Sequence, residues 1–215
     1  MQLLSLNMGL PREVIWQNRI VVTGIFKSPV QGPVELRELN LAGDAQADLR
    51  VHGGRYKAVY AYPSEHYPYW RRELPGMGLP PGMFGENFTT DGLVENSVHI
   101  GDLFRIGSAE IVVTQPRLPC YKLGIKFGRA DIVKRFASSG RTGFYFSVAQ
   151  EGTVSAGDAM DLLQRDESNL TVADITRLYL FGDEDPEAMR RAMQLETLPP
   201  SWRDYFRQLL TEKAT

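Results

Sequence analysis

Cys120, the one cysteine of the chain, stands in its most positively charged stretch. Between Arg117 and Arg141 lie seven bases, Arg117, Lys122, Lys126, Arg129, Lys134, Arg135 and Arg141, against the single acid Asp131. Clustered cations favour the thiolate form of a nearby thiol, which is the nucleophile and the metal ligand. Guanidinium groups also match the bidentate geometry of phosphate and carboxylate. One thiol among such groups suits an anionic ligand that also needs a soft sulfur donor. An inert cysteine beside a solvated basic face is the alternative. Pro116 and Pro119 favour an extended loop and argue against Cys120 as ordinary helix core.

His52-Gly53-Gly54 is a second candidate, just before an expected strand Lys57–Tyr62. Two glycines let backbone approach a ligand and offer N–H donors to oxyanions, while the imidazole carries a proton. A hairpin turn with a solvated histidine accounts for the same residues equally well. Asp44 and Asp48 upstream either orient that histidine or are solvated loop acids. Glu86-Asn87, after a Gly/Pro-rich loop, pairs a proton acceptor with an amide that donates and accepts, which suits reading a heterocycle edge. An Asn turn is the bland alternative. A Cys120–His52 hydrolase pair is open arithmetically, with no support from spacing. His66 and His99 read as surface or packing residues.

The elements that must position these groups are mostly strands. Ile20–Phe26, Val34–Leu39, Lys57–Tyr62, Leu103–Ile106, Ile111–Thr114, Phe144–Ala149 and Met160–Leu163 are short, β-branched or aromatic segments separated by Gly and Pro clusters. They predict a β-barrel or sandwich over residues 1–166, with turns at Gly101-Asp102 and Gly157-Asp158 that need positive φ. Short helices are expected at Glu65–Leu74 and Ala130–Ala137. Residues 167–215 read as a three-helix domain: a Thr171/Asp174 capping box, Asp185 capping Pro186, and an apolar stripe Trp202, Tyr205, Phe206, Leu209, Leu210. This tail carries nine acids and six bases.

The chain has 215 residues, 43% hydrophobic and 23% charged, with a formal net charge of −2. That composition predicts a packed core and excludes a strongly basic, nucleic-acid-coated surface. A single cysteine excludes an internal disulfide, a zinc finger of cysteine pairs and a self-contained four-cysteine iron–sulfur cluster. With no long apolar run and no charged leader over Met1–Leu6, the expectation is a cytoplasmic protein without membrane attachment. Gly76-x-Gly78 runs into Pro80-Pro81 rather than a helix, so it is not a dinucleotide fingerprint, and no phosphate-binding loop is present.

Taken together, these stretches resemble the MOSC domain, the family named after the C-terminal domain of molybdenum cofactor sulfurase. The matching text is Asp44-Ala-Gln-Ala-Asp48-Leu-Arg-Val-His52-Gly-Gly54, Lys57-Ala58-Val59, Gly85-Glu-Asn87-Phe-Thr, Ile100-Gly-Asp102 and, above all, Gln115-Pro-Arg-Leu-Pro-Cys120-Tyr-Lys122-Leu. It covers about residues 20–165, and the tail with Leu170-Thr-Val-Ala-Asp174 looks like the three-helix domain of the YiiM-like branch. Arg55-Tyr56 departs from the Pro-Asp-type turn expected before Lys57.

The resemblance implies a mostly β fold with α additions, a MOSC β-barrel over 1–166 followed by a helical domain over 167–215. It implies molybdenum cofactor (molybdopterin) as ligand, with Cys120 as metal ligand and catalytic roles for Cys120, His52 and Glu86. Gly53, Gly54, Lys57, Asn87, Arg117, Lys122 and Arg141 are then the cofactor-binding candidates. The implied activity is reduction of N-hydroxylated small molecules or nucleobase analogues, such as 6-N-hydroxylaminopurine, to amines. A cofactor carrier or sulfur-transfer module without turnover is the alternative. Electrons are expected from an external flavoprotein or ferredoxin-type donor, with the acidic tail as one candidate docking surface. No nucleic-acid polymer is expected as partner, and the chain is expected to be a monomer or homodimer.

Overall fold

The computed structural model describes residues 1–48 and 53–212, so His52 lies outside the described residues. The strands are β1 (Gln2–Met8), β2 (Arg12–Trp16), β3 (Arg19–Thr23), β4 (Ser28–Pro29), β5 (Val34–Leu36) and β6 (Val59–Pro63). They continue with β7 (Phe88–Asp91), β8 (Leu103–Ile106), β9 (Ala109–Pro116), β10 (Phe144–Gln150), β11 (Gly152–Val154) and β12 (Met160–Gln164). The helices are α1 (Tyr67–Glu73), α2 (Tyr121–Phe127), α3 (Ile132–Ser139), α4 (Val172–Thr176), α5 (Pro186–Gln194) and α6 (Pro200–Glu212). Among the described residues, no helix is long and apolar enough to cross a membrane.

Eight strands form one sheet in the order β12-β8-β9-β10-β6-β7-β1-β4. The neighbours pair antiparallel except β6 with β7, which run parallel. The expected β-barrel is not closed. The free edge of β1 is divided between the two-residue strand β4 and a single bridge, Gln2 to Ala159, next to β12. Backbone bonds Leu3 N to Asp158 O (3.0 Å) and Met160 N to Met1 O (2.9 Å) span that seam. The overlap beside the Gly157-Asp158 turn is too short for a ladder. Gly101 and Gly157 take the expected positive φ, 95° and 97°.

The two-residue side-chain period gives the sheet two working faces at β6. Val59 and Ala61 enter the main core with Phe144, Phe146, Ile111 and Val113. Tyr60 and Tyr62, one residue out of phase, point to the other side and join Tyr67, Trp70, Phe84 and Phe136 in a second, aromatic cluster. All five residues of β6 are therefore buried. Lys57, expected in this strand, instead ends a 3-10 turn over Arg55–Lys57. A further departure is α2, which starts directly after Cys120 where the two prolines suggested only loop. Cys120 is its extended N-cap residue (φ −126°, ψ 149°), so the thiol is still outside the helix.

The tail folds as its start signals dictate. Thr171 and Asp174 form the reciprocal capping box, and Asp185 accepts from Ala188 N ahead of Pro186. A π-helical turn at Arg177–Phe181 extends α4. The apolar faces of these helices merge with the sheet: Ile175, Met189, Ala192, Trp202 and Phe206 belong to the same buried cluster as β8–β10. Phe206→Ala should therefore destabilise the whole protein by about 3–5 kcal/mol, the usual range for truncating a buried aromatic. Urea unfolding followed by tryptophan fluorescence should remain a single transition, because tail and sheet share one core.

Candidate functional site

On the aromatic side of the sheet lies a partly open cleft with a cavity volume of about 90 Å³. Six segments wall it. The chain after β3 contributes Thr23, Gly24, Ile25 and Lys27, and the loop after β5 contributes Ala45, Gln46 and Ala47. Lys57 comes from the turn ahead of β6, Tyr60 from β6 itself, and Gly85 and Asn87 from the turn into β7. Arg117, Cys120 and Lys122 follow β9, and Tyr145 stands on β10.

Strand register explains the aromatic floor: Tyr145 and Tyr60 are directly paired across β10 and β6, with ring centroids 5.3 Å apart. Arg117 lies over this floor, its guanidinium 4.4 Å from the Tyr60 ring centre and its Nη1 donating to Phe84 O (2.6 Å). Arg117, Tyr145 and Cys120 are close enough to act on one another electrostatically. Burial pushes the Tyr145 phenol up from its ordinary value, against the pull of Arg117. Desolvation lowers Lys57 from the usual lysine range. Close backbone approach shapes the wall: a Cβ on Gly24 would meet Ala45 O at 2.5 Å. A Cβ on Gly85, where φ is +81°, would meet the Ile25 side chain at 2.8 Å.

Behind this wall lies a buried ionic hub that sequence reading missed. The Asp44 carboxylate accepts from Lys27 Nζ (2.6 Å), Gly9 N (2.8 Å) and Asn87 Nδ2 (2.9 Å). Lys27 and Asp44 are both buried, and desolvation lowers the lysine despite its partner. Both ends of the Asn87 amide are engaged: Nδ2 also donates to Asn7 O (3.3 Å), and Oδ1 accepts from Tyr60 N (3.2 Å). Lys27 gave no sequence signal, because its partner is 17 residues away along the chain.

Cys120, Lys57, Asn87, Arg117 and Lys122 of the expected site residues thus share one cleft. Others lie apart from it. Glu86 is fully buried and does not line the cleft. Its carboxylate accepts from the Tyr67 hydroxyl, Gly82 N (2.8 Å), Phe84 N (3.0 Å) and the Thr89 hydroxyl (3.0 Å). Burial pushes Glu86 up from the ordinary carboxylate range, with those donors pulling the other way. Arg141 stacks on Tyr69, 4.3 Å from its ring centre, and donates to Ser139 O (3.2 Å). Gly53 and Gly54 lead into the turn ending at Lys57, outside the lining residues. His52 lies outside the described residues, so its reach toward Cys120 is not part of this geometry. His66 is buried against Glu95 (2.6 Å), and His99 bonds Asn169 (3.1 Å), both packing roles as expected.

The sequence model of the MOSC domain matches residues 48–161, and that of the YiiM-like, 3-alpha helix domain matches 170–212. The chain belongs to the MOSC family. The MOSC segment contains the cysteine side of the cleft, whereas Lys27 and Asp44 lie ahead of it. Protein YflK of Bacillus subtilis is 43% identical over 203 residues, covering 94% of this chain and 91% of that protein. The crystal structure of YiiM from Geobacillus stearothermophilus superposes with a TM-score of 0.80 at 35% identity, covering 96% of this chain and 97% of that one. A protein named reductase from Gibberella moniliformis is 33% identical over 161 residues, which are 74% of this chain and 28% of that protein.

Two outcomes follow from the buried groups of this MOSC chain. Lys27→Met leaves Asp44 buried without its cation and should cost about 3–5 kcal/mol, read from urea midpoints. The second concerns pH. Tyr60, Tyr62, Tyr67 and Tyr145 are all raised above the ordinary value of 10.0, foremost by burial. The folded state therefore keeps protons that the unfolded chain releases. Their contribution is fully present below pH 10 and is lost as pH rises beyond it, so urea midpoints should fall steeply above pH 10.

Proposed function

We propose that the chain is a molybdenum-cofactor-dependent reductase of N-hydroxylated compounds, with hydroxylated purines such as 6-N-hydroxylaminopurine as the substrate class. The observation that carries this reading is one cleft holding a single thiol together with Lys27, Lys57, Arg117 and Lys122. The donor set fits the group: a soft sulfur ligand for the metal, cations for an anionic phosphate, and an aromatic floor for a flat heterocycle. Among the described residues, no cluster of three or more His, Cys, Asp or Glu could hold a metal ion by itself. A metal at Cys120 that arrives with ligands of its own is consistent with that. Family membership and the reductase-named relative point the same way.

In this reading Cys120 would hold the metal as its thiolate, and Arg117 and Lys122 would hold the anionic groups. When bound, the cofactor supplies a redox-active metal that passes two electrons to the N–O bond. The overall change is RNHOH plus two electrons and two protons giving RNH2 and water. Tyr60 and Tyr145 seat the ring and exclude water from one side of the cleft. Lys57 is the candidate proton donor to the departing oxygen, because its desolvation eases proton loss. Glu86, with its acceptor positions taken by four donors, holds the wall from Gly82 to Thr89 rather than moving a proton.

Wild type and Cys120→Ala, made in a host that synthesises the cofactor, should differ in both metal and turnover. Wild type should carry equimolar molybdenum and reduce 6-N-hydroxylaminopurine with reduced methyl viologen, and the variant should lose both. Loaded wild type without turnover would instead favour a carrier. An active protein free of molybdenum would overturn the cofactor assignment.

A further inference from the structure

The aromatic floor of the cleft reads faces, not edges. Tyr60 and Tyr145 suit any flat ring, because every aromatic ring offers a π-face. Reading an edge takes a side chain that donates and accepts together, and two amides line the cleft, Gln46 and Asn87. Asn87, which its residue type suggested for this task, is engaged within the fold by Asp44, Asn7 O and Tyr60 N. The Thr23 hydroxyl accepts from Ile25 N (3.2 Å), and the Tyr60 hydroxyl donates to Thr142 O (2.8 Å). Lys57, Arg117 and Lys122 only donate. Gln46 differs from all of these: it is half-buried, and its amide makes no hydrogen bond to any described residue.

The backbone that carries Gln46 is held in place. Its loop leaves the Asp44 hub, where Lys27, Gly9 and Asn87 anchor the carboxylate. Asn40 Nδ2 donates to Asp44 O (3.1 Å), and Ala45 O lies so close to Gly24 that a Cβ there would meet it at 2.5 Å. An amide mounted on fixed backbone loses less freedom on binding than one that must first be ordered. Resting on the reductase reading, we propose that Gln46 determines specificity by reading the edge of the substrate ring. Its N–H donates to a ring nitrogen, and its oxygen accepts from a neighbouring N–H. A hydroxylated purine presents such a pair, as does any N-hydroxylated heterocycle with an acceptor beside a donor. A plain aryl hydroxylamine offers the same flat face and the same N–O bond, but no ring nitrogen to read.

Cofactor-loaded wild type, Gln46→Ala and Gln46→Glu are compared with reduced methyl viologen on two substrates, 6-N-hydroxylaminopurine and phenylhydroxylamine. The ratio of kcat/KM for the purine to that for phenylhydroxylamine should fall about 10- to 100-fold in both variants, the range for one paired amide–base contact. Gln46→Glu keeps the shape of the side chain but not its N–H, so its loss separates hydrogen bonding from packing. Adenine, the product, titrated by calorimetry against the loaded full chain, should bind both variants more weakly by a similar factor, which is a readout independent of turnover. Molybdenum content and urea midpoint should match wild type. If the ratio and adenine binding stay at their wild-type values, or the variants lose molybdenum, Gln46 does not read the substrate. The proposal is then overturned and the reductase reading stands. If loaded wild type reduces neither substrate, the reductase reading falls and takes the proposal with it.

Discussion

The buried carboxylate of Asp44 ties together parts of the chain that the sheet alone does not join. It holds the end of β1 through Gly9, the loop after β3 through Lys27, and the turn into β7 through Asn87. An unpaired charge at such depth would be too costly to retain. Each donor is therefore required by the others, and the network stands as a unit. Its consequence is geometric. Lys27 and Asn87 are fixed as neighbouring walls of the cleft, and Asn87, bonded to Tyr60 N, keys that wall to β6.

The same logic holds at Glu86, the second buried carboxylate on this side of the sheet. Its donors come from Tyr67 at the start of α1, the Gly82–Phe84 turn and Thr89 in β7. The Gly/Pro-rich segment between α1 and β7 has no regular structure to satisfy its backbone, so a carboxylate does so from inside. Phe84 is thereby delivered into the aromatic cluster, stacked 4.3 Å from Tyr62, and its carbonyl is left for Arg117. One acid thus sets the position of the guanidinium beside the thiol without touching either.

Local rules account for what was legible in the sequence. The capping box at Thr171 and Asp174, the Asp185 cap and the Leu103–Ile106 strand depend on neighbours within a few residues, and each appears where the sequence placed it. Cys120, Arg117 and Lys122 stood out by residue type and charge density and Lys57 through the family resemblance, and the fold brings all four to one cleft. Glu86 and Arg141 lie apart from that cleft, and residue type alone does not distinguish a carboxylate facing a cleft from one sealed by four donors. β1 escaped because its polar Ser5 and Asn7 are buried by contacts across the fold: Asn7 bonds Thr89 (3.1 Å) and Asn87, some 80 residues away. The open seam between β1 and β12 was likewise beyond local rules, since closure depends on how far two distant segments overlap.

Cys120 is half-buried and lines the cleft, so its thiol sits at a boundary rather than in a core. The chain achieves this by ending β9 with Pro116, running extended through Pro119, and starting α2 only after Cys120. The strand anchors Arg117 inward, with its N–H on Gly143 O (3.0 Å), while the helix begins with Tyr121 outward. Within five residues the chain thus passes from a buried guanidinium to an exposed phenol, with the sulfur between them. Pro116 and Pro119 help to hold that passage extended, and α2, packed through Leu123 and Phe127 into the aromatic cluster, fixes its far end.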